Sequence, residues 1–304
     1  MSWMASLSRP KACVCIELGA EYLSFAVRDN TSGKLSCLAS QHCPKGSASW
    51  LEVVQAYIDK HQLQGLGCRL VLPASEYQLL LVEAPEVPEA ELRQALTWRV
   101  KDLLTGSVEE SVVDVFSLPA GVSRGGKAMA YVVAANKALI LSLVDLCKKA
   151  ELKLQSIDIE VLAIRNLLLN RDLERGAAVV RLRSGSGDVS IYRNNELYLS
   201  RNFKLAYGGG LLDDLPVDQL ALEVQRSLDY FERQMGQIPP GILLLTGEGI
   251  GTEKITEHFK AALSLPVELL DPAKGLDVQT DQLDEGLLQL CTAAIGGLLR
   301  VEGE

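Results

Sequence analysis

The stretch CVCIELGAEYLSFAVRD, residues Cys13 to Asp29, reads as two short strands joined by a tight turn at Gly19, with Glu17 just before that glycine. Cys13 and Cys15 alternate on the first strand, so both point the same way and are expected to face the core. A third strand, KLSCLASQ, follows the turn DNTSG, whose Asp, Asn and Gly residues tolerate left-handed backbone. A helix over SASWLEVVQAYIDKHQ comes next. Its Trp50, Leu51, Val54, Ile58 and Leu63 recur at helical spacing, and Ser47 or Ser49 could cap it. CRLVLP is then a buried strand.

The same order returns after residue 176. GAAVVRLRS, GDVSIYRN and ELYLSRNF are strands, the last two joined by the tight turn RNNE. AYGGG leads into the helix VDQLALEVQRSLDYFERQM, with Leu220, Val224, Leu228 and Phe231 along one face. GILLLTG is a buried strand. The helix TEKITEHFKAAL, the strand PVELLDP and a last helix GLLQLCTAAIGGLLR complete the chain. Inserted in the first half lies a unit with the order strand, helix, strand, strand, helix. Its first helix, PEAELRQALTWRVKDLL, has Pro88 in the first turn and an apolar stripe of Leu92, Leu96, Val100 and Leu103. The expected division is 1–73 with 151–175, an inserted α+β subdomain over 74–150, and a second half over 176–304. Two β-meander-plus-helix halves facing each other suggest the actin-like ATPase fold, with a nucleotide site in the cleft between them.

Composition narrows the function. The 304 residues are 48% hydrophobic and 23% charged, ordinary for a globular chain with a substantial core. A net charge of −9 argues against a nucleic-acid partner, which needs a basic face. Three scattered histidines argue against a multi-histidine metal site, and seven cysteines without CxxC spacing suit reduced thiols in a cytoplasm. The leading MSWMASLSRPK lacks the apolar core of a signal peptide, and no apolar run approaches the ~20 residues of a membrane span. The expectation is a cytoplasmic protein that meets a membrane only through a partner.

Three blocks carry a family resemblance. LVLPASEYQLLLVEAPEVPEAELRQALTWRVKDLLTGSVEESVVDVFSLP resembles the inserted subdomain of PilM-type pilus assembly proteins, with a strand ending in Leu-Pro, a second ending at Pro85, and a helix carrying Glu-Leu and a Trp. AYVVAANKALILSLVDLCKKAELKLQSIDIEVLAI, with its Asp158 segment, resembles their next block. ALEVQRSLDYFERQMGQIPPGILLLTGEG resembles the helix–strand–glycine block near their end. The likeness spans nearly the whole chain. It implies an actin-like fold and a place on the inner face of the bacterial inner membrane, peripheral to it. It also implies a partner: the short cytoplasmic N-terminal tail of a bitopic, PilN-like membrane protein, held in a groove beside the inserted subdomain during type IV pilus assembly.

The fold further implies ATP or ADP as the ligand of the cleft, held by glycine turns whose N–H groups face phosphate and by acids that manage Mg²⁺. The first such turn, Asp-x-Gly followed by a hydroxyl residue, is here Glu17-Leu18-Gly19-Ala20-Glu21. Glu17 could hold a metal-bound water, but Ala20 lacks the hydroxyl, and Glu21 adds a negative charge where phosphates would lie. The second turn has Arg181 at the Asp position. Arg183, Ser184, Gly185 and Ser186 keep it donor-rich, and either arginine could pair with an anion. Asp188 is a shifted Asp or simply the start of the next strand, and a polar turn with two surface arginines is an equal reading of the whole segment. The third, Thr246-Gly247-Glu248-Gly249-Ile250-Gly251, matches best, and Gly208 and Gly209 fit the loop before the long helix. These glycines also suit a plain strand-to-helix turn.

The sum is a cleft that keeps its glycines and has lost its acids, so efficient hydrolysis is not expected. A scaffold without catalysis is the first reading, an active Mg-ATPase using Glu17 and Asp188 the second, and a small-molecule kinase a third that lacks its base. Trp98 is expected in the core. Glu109, Glu110 and Asp114 read as a solvated turn, and no hydrolase or metalloprotease motif is present.

Overall fold

A computed structural model describes residues 12–19, 22–29, 35–42, 50–123, 125–169, 171, 173–210, 215–277 and 284–301. The leading segment 1–11, Ala20, Glu21, the turn over 30–33, and Ser47 and Ser49 lie outside them.

The described strands form two five-stranded sheets and one three-stranded sheet. In the first sheet, β1 (Cys13–Leu18), β2 (Tyr22–Arg28) and β3 (Leu35–His42) form an antiparallel meander, and β4 (Gly67–Leu72) and β8 (Lys153–Ile159) add in parallel, in the order β3-β2-β1-β4-β8. The second sheet repeats this: β9 (Ala177–Arg183), β10 (Ser186–Arg193) and β11 (Glu196–Lys204) are the meander, and β12 (Ile242–Gly247) and β13 (Val267–Leu269) the parallel pair, in the order β11-β10-β9-β12-β13. The expected duplication is therefore one of topology, strand for strand.

β1 is buried along its whole length because both faces of its sheet are covered. Ile16 and Phe25 sit opposite each other across the ladder, and Phe25 stacks on Tyr57 of α1 (Trp50–His61), ring centroids 3.9 Å apart. Cys15 points to the other face, against α8 (Thr292–Leu298). All residues of α8 are buried, and its Ala293, Ala294, Gly296 and Gly297 let α4 (Glu160–Asn166) and the sheet approach closely. Arg69 of β4 reaches across to the carbonyls of Gly297, Leu298 and Arg300, satisfying the orphan acceptors at the end of α8.

Two helices expected to be continuous are broken. Thr252–Lys254 is a single 3-10 turn, and α6 (Glu257–Ala262) starts anew because the Thr256 hydroxyl caps the Phe259 amide. The last helix divides at Cys291 into α7 (Glu285–Leu290) and α8, where the Thr292 hydroxyl bonds the Gln289 carbonyl instead of continuing one straight helix.

Between β4 and β8 lie β5 (Tyr77–Glu83), α2 (Glu89–Val100), β6 (Ser111–Ser117), β7 (Met129–Asn136) and α3 (Lys137–Lys149). The three strands pair antiparallel in the order β5-β7-β6, and Leu92, Leu96 and Val100 of α2 pack on Ala130 and Val132 in a core separate from the main one. The buried face of α2 is therefore 92-96-100. Trp98 falls on the opposite face and is 66% exposed, against the expectation that it fills core. Leu103, expected in the apolar stripe, sits in the 3-10 turn Lys101–Leu103 and is also exposed. Glu109 and Glu110 are exposed, as expected of a solvated turn. α5 (Val217–Arg233) covers β10 and β11, with Phe231 edge-on to Tyr198.

The tighter of the two glycine contacts in α8 is that of Gly296, where an added Cβ would lie 2.1 Å from the Ala163 carbonyl oxygen. Gly296→Val is expected to cost about 1–3 kcal/mol by overpacking. A urea titration checks it, and an unchanged midpoint would show that α4 and α8 can separate freely.

Candidate functional site

The carboxyl ends of the parallel strands in both sheets meet in one cleft, the usual location of ligands in open α/β sheets. The cavity there is about 590 Å³. The first half contributes Glu17 and Gly19 from the end of β1, and Pro73 to Ser75 from the end of β4. The second half contributes Arg181, Arg183, Ser184 and Ser186 from the β9–β10 turn, Lys204 from β11, and Glu248 after β12. The structure thus brings together residues far apart in sequence.

Three glycine turns of the second half stack on one another. The Gly185 amide donates to the Tyr207 carbonyl at 2.8 Å, and the Tyr207 hydroxyl donates to the Glu248 and Gly249 carbonyls at 2.8 and 3.1 Å. Gly247 requires glycine: its φ is +133°, and a Cβ would lie 2.0 Å from the Leu182 carbonyl oxygen. Gly209 lies against the Glu248 carboxylate and Gly249 against the backbone of Gly209 and Gly210. Of the residues expected at the cleft, Glu17, Gly19, Arg183, Ser184 and Ser186 line the cleft cavity, whereas Gly185, Gly208, Gly209, Gly247 and Gly249 do not; Gly247 borders a smaller pocket beside it with Glu17 and Arg181. The anion-ready amide of Ser184 is already used, because it donates to Glu248 Oε2 at 3.0 Å.

The floor of the cleft is a chain of buried charges. The Arg181 guanidinium pairs through Nη2 with Glu17 and through Nε, at 2.6 Å, with Glu160, the first residue of α4. Arg183 pairs with the same Glu160 oxygen and, at 2.9 Å, with Asp188 of β10, whose other oxygen accepts from Ser190. Glu160 Oε2 also accepts from the Ala74 amide at 3.0 Å. Arg181 is 6% exposed and Glu160 wholly buried, so the reading of this turn as one with two surface arginines is corrected. The reason is charge. A guanidinium leaves water only where carboxylates replace it, and here three do so. The anions the arginines were expected to pair with belong to the protein itself.

Glu160 escaped the sequence reading. Its signal was the run SIDIE, an acid where a strand passes directly into a helix, together with two arginines on a strand too apolar to be exposed.

Three carboxyls face two guanidinium groups, so with every group ionised the cluster would carry one negative charge. Burial, only partly offset by the arginines, holds the Glu17 and Asp188 carboxyls above their ordinary range. Burial also acts on Glu160, but Arg181, Arg183 and the Ala74 amide outweigh it and hold that carboxyl below its ordinary range.

No family model matches the chain, and no curated protein sequence matches it. Solved structures do. One from the PilM–PilN type IV pilus biogenesis complex is 18% identical, with a TM-score of 0.76 over 94% of this chain and 97% of that one. The cytoplasmic domain of EpsL, an inner-membrane component of the type II secretion system of Vibrio cholerae, is 16% identical, with a TM-score of 0.52 over 91% and 93%. A Bacteroides thetaiotaomicron protein described as having an actin-like ATPase fold is 11% identical, with a TM-score of 0.55 over 87% and 93%. The chain has the actin-like ATPase fold, as its strand order suggested.

Arg181→Ala strands Glu17 and half of Glu160 without a counter-charge and is expected to cost about 3–5 kcal/mol of folding stability. Pairing it with Glu17→Leu should restore part of that loss. Urea unfolding of the single and double variants checks both, and additive losses would show that the pair is not coupled.

The raised carboxyl has a pH consequence. The native state keeps its proton where the unfolded chain has released it, so it binds more protons, and stability falls as pH rises above 4.5, the ordinary Glu value, toward the higher native one. Glu17→Gln, which cannot titrate, is expected to flatten that fall. Unfolding midpoints between about pH 5 and about pH 8 test it, and parallel curves for the two proteins would refute it.

Proposed function

We propose that the chain is a scaffold of a type IV pilus assembly machine, an actin-like protein whose cleft is held by its own ion pairs and does not turn over ATP. It docks the cytoplasmic N-terminal tail of a bitopic, PilN-like inner-membrane protein and is peripheral to the membrane through that partner. The finer assignment within the PilM-type family is MshI, the version belonging to mannose-sensitive haemagglutinin pili.

The observation that carries the scaffold reading is Arg181, a buried cation between Glu17 and Glu160. It stands where the pattern of actin-like ATPases places an Asp, and a guanidinium cannot ligate Mg²⁺. It also occupies the one acid of the first turn that could have held a metal-bound water. With Glu248 seated on the Ser184 amide, a nucleotide phosphate would have to displace both a buried ion pair and a hydrogen-bonded carboxylate. The residues present do not fit a Mg-nucleotide as a working pair. Bound ATP or ADP without turnover is the lesser form of this reading, supported by the cavity and the stacked glycine turns at Gly185, Gly209, Gly247 and Gly249.

The docking reading is supported by the likeness to a structure from the PilM–PilN complex over almost the full length of both chains. It is also supported by the inserted subdomain, which leaves Val87, Trp98, Leu103 and Val112 exposed in water. Among the described residues no helix is long and apolar enough to cross a membrane.

Calorimetry separates the two parts. Mg-ATP is expected to give no saturable heat and no phosphate release, and Mg²⁺-dependent binding with turnover would replace the scaffold by an active ATPase. A synthetic N-terminal tail of the PilN-like protein from the same operon is expected to bind, and Trp98→Ala to weaken it roughly tenfold, the scale of an aromatic anchor. Failure of every such tail to bind would remove the docking reading.

A further inference from the structure

The carboxylate of Glu248 lies in a cradle that a glycine keeps open. Its Oε2 accepts from the Ser184 amide at 3.0 Å. Gly209 forms the wall beside that bond. Its φ is +77°, and an added Cβ would lie 2.9 Å from Glu248 Oε2 and 3.4 Å from the Ser184 nitrogen. Ser184 and Glu248 both border the cleft cavity of about 590 Å³, so the cradle faces it.

The backbone around the carboxylate is pinned. The Glu248 amide donates to the Leu182 carbonyl at 2.9 Å, and the Tyr207 hydroxyl donates to the Glu248 and Gly249 carbonyls. The Gly185 amide, next to that of Ser184, donates to the Tyr207 carbonyl. The three turns therefore hold one another through groups other than the Glu248 side chain. Rotation of that side chain removes the carboxylate and leaves the cradle formed.

The other acids of the cleft are held differently. Glu160 is wholly buried between two guanidinium groups, and Glu17 is buried against Arg181. Taking either out would strand a buried cation. Glu248 is half-buried and bonds a neutral amide, which water or another acceptor can satisfy in its place. A phosphate group offers such an amide the same kind of oxygen with more negative charge. Lys204, on the same cavity, adds a cation on a flexible stem.

We propose that Glu248 is an autoinhibitory plug, whose carboxylate imitates the phosphate group that the cradle takes once the side chain swings away. This plug presupposes a cleft blocked by its own groups, as proposed above. It makes that block reversible at Glu248 and fixed at Arg181. A plug lowers apparent affinity by the fraction of molecules that are open. With about one molecule in ten open, removing it tightens binding about tenfold.

The full chain is titrated with inorganic phosphate and followed by ³¹P NMR, without Mg²⁺. Glu248→Ala is expected to bind phosphate at least tenfold more tightly than the unaltered protein. Ser184→Pro in the Glu248→Ala background is expected to abolish that gain. Ser184 is the second residue of the turn from Arg183 to Ser186, and Gly185, the third, has φ of +75°. Proline suits that second position and lacks the amide hydrogen. Equal binding by Glu248→Ala and the unaltered protein, or none by either, would overturn the proposal. So would a gain that survives Ser184→Pro, because the phosphate would then sit elsewhere. ADP in place of phosphate identifies the source. Tighter binding than inorganic phosphate, with the same dependence on Ser184, assigns the group to a nucleotide, and binding no tighter assigns it to a free phosphate.

Circular dichroism checks that the variants are folded. If Glu248→Ala is not, Glu248→Gln serves in its place with a smaller gain of the same sign, because its neutral oxygen is the weaker competitor. If Ser184→Pro is not, Gly209→Ala, which fills the cradle, replaces it. Hydrolysis of Mg-ATP by the unaltered protein would end the scaffold reading, whereas an unmoved phosphate affinity ends only the plug, so the two failures are told apart.

Discussion

The guanidinium of Arg181 bridges the two halves of the molecule. Glu17 and Glu160 come from the first half, Arg181, Arg183 and Asp188 from the second, and all five are buried or nearly so. Charges withdrawn from water on this scale persist only when each is met by another. The halves must therefore keep their relative position closely enough to hold bonded distances across the cleft. The register of β1, the start of α4 and the β9–β10 turn all answer to that requirement. The arrangement explains how the protein's own charges hold the two sides of the cleft together.

Around that contact the fold is a pair of equivalent sheets that share a helical interior. α8 has no polar side for solvent, and its small residues allow α4 and the first sheet to lie against it. Thr246 of the second sheet bonds Gln289 and Thr292, so the C-terminal helices connect to both sheets. The inserted subdomain stands apart, with its own small core, and touches the second half through the Tyr131 hydroxyl, which accepts from the Ser200 amide at 3.0 Å. Its exposed Trp98 and Leu103 are the apolar surface that a partner could cover.

At the cleft floor, internal carboxylates meet both arginines. Burial depth is the reason: a guanidinium as enclosed as Arg181 needs its counter-charge within the protein, whereas the more exposed arginines of the surface are solvated by water.

Much of the fold was legible in local pattern. The hairpin around Gly19, its echo after residue 176, and the strand–helix–strand–strand–helix insertion all follow from alternation, turn residues and helical stripes, which are short-range properties of the chain. The glycine turns at Gly185, Gly209, Gly247 and Gly249 were legible too, because only glycine takes those backbone conformations without strain. Other features were not. Trp98 looked like core because aromatics usually are, but helix phase relative to Leu92, Leu96 and Val100 turned it outward. Arg181 and Arg183 looked like surface because arginine usually is. Their burial required Glu160, which lies on a different element and in the other half of the molecule. The sequence by itself determined where the strands and turns lie and that Arg181 stands where the actin-like ATPase pattern has an Asp. Only the tertiary structure decided which carboxylates meet Arg181 and Arg183, because pairing between buried charges depends on distances in space that sequence separation does not encode.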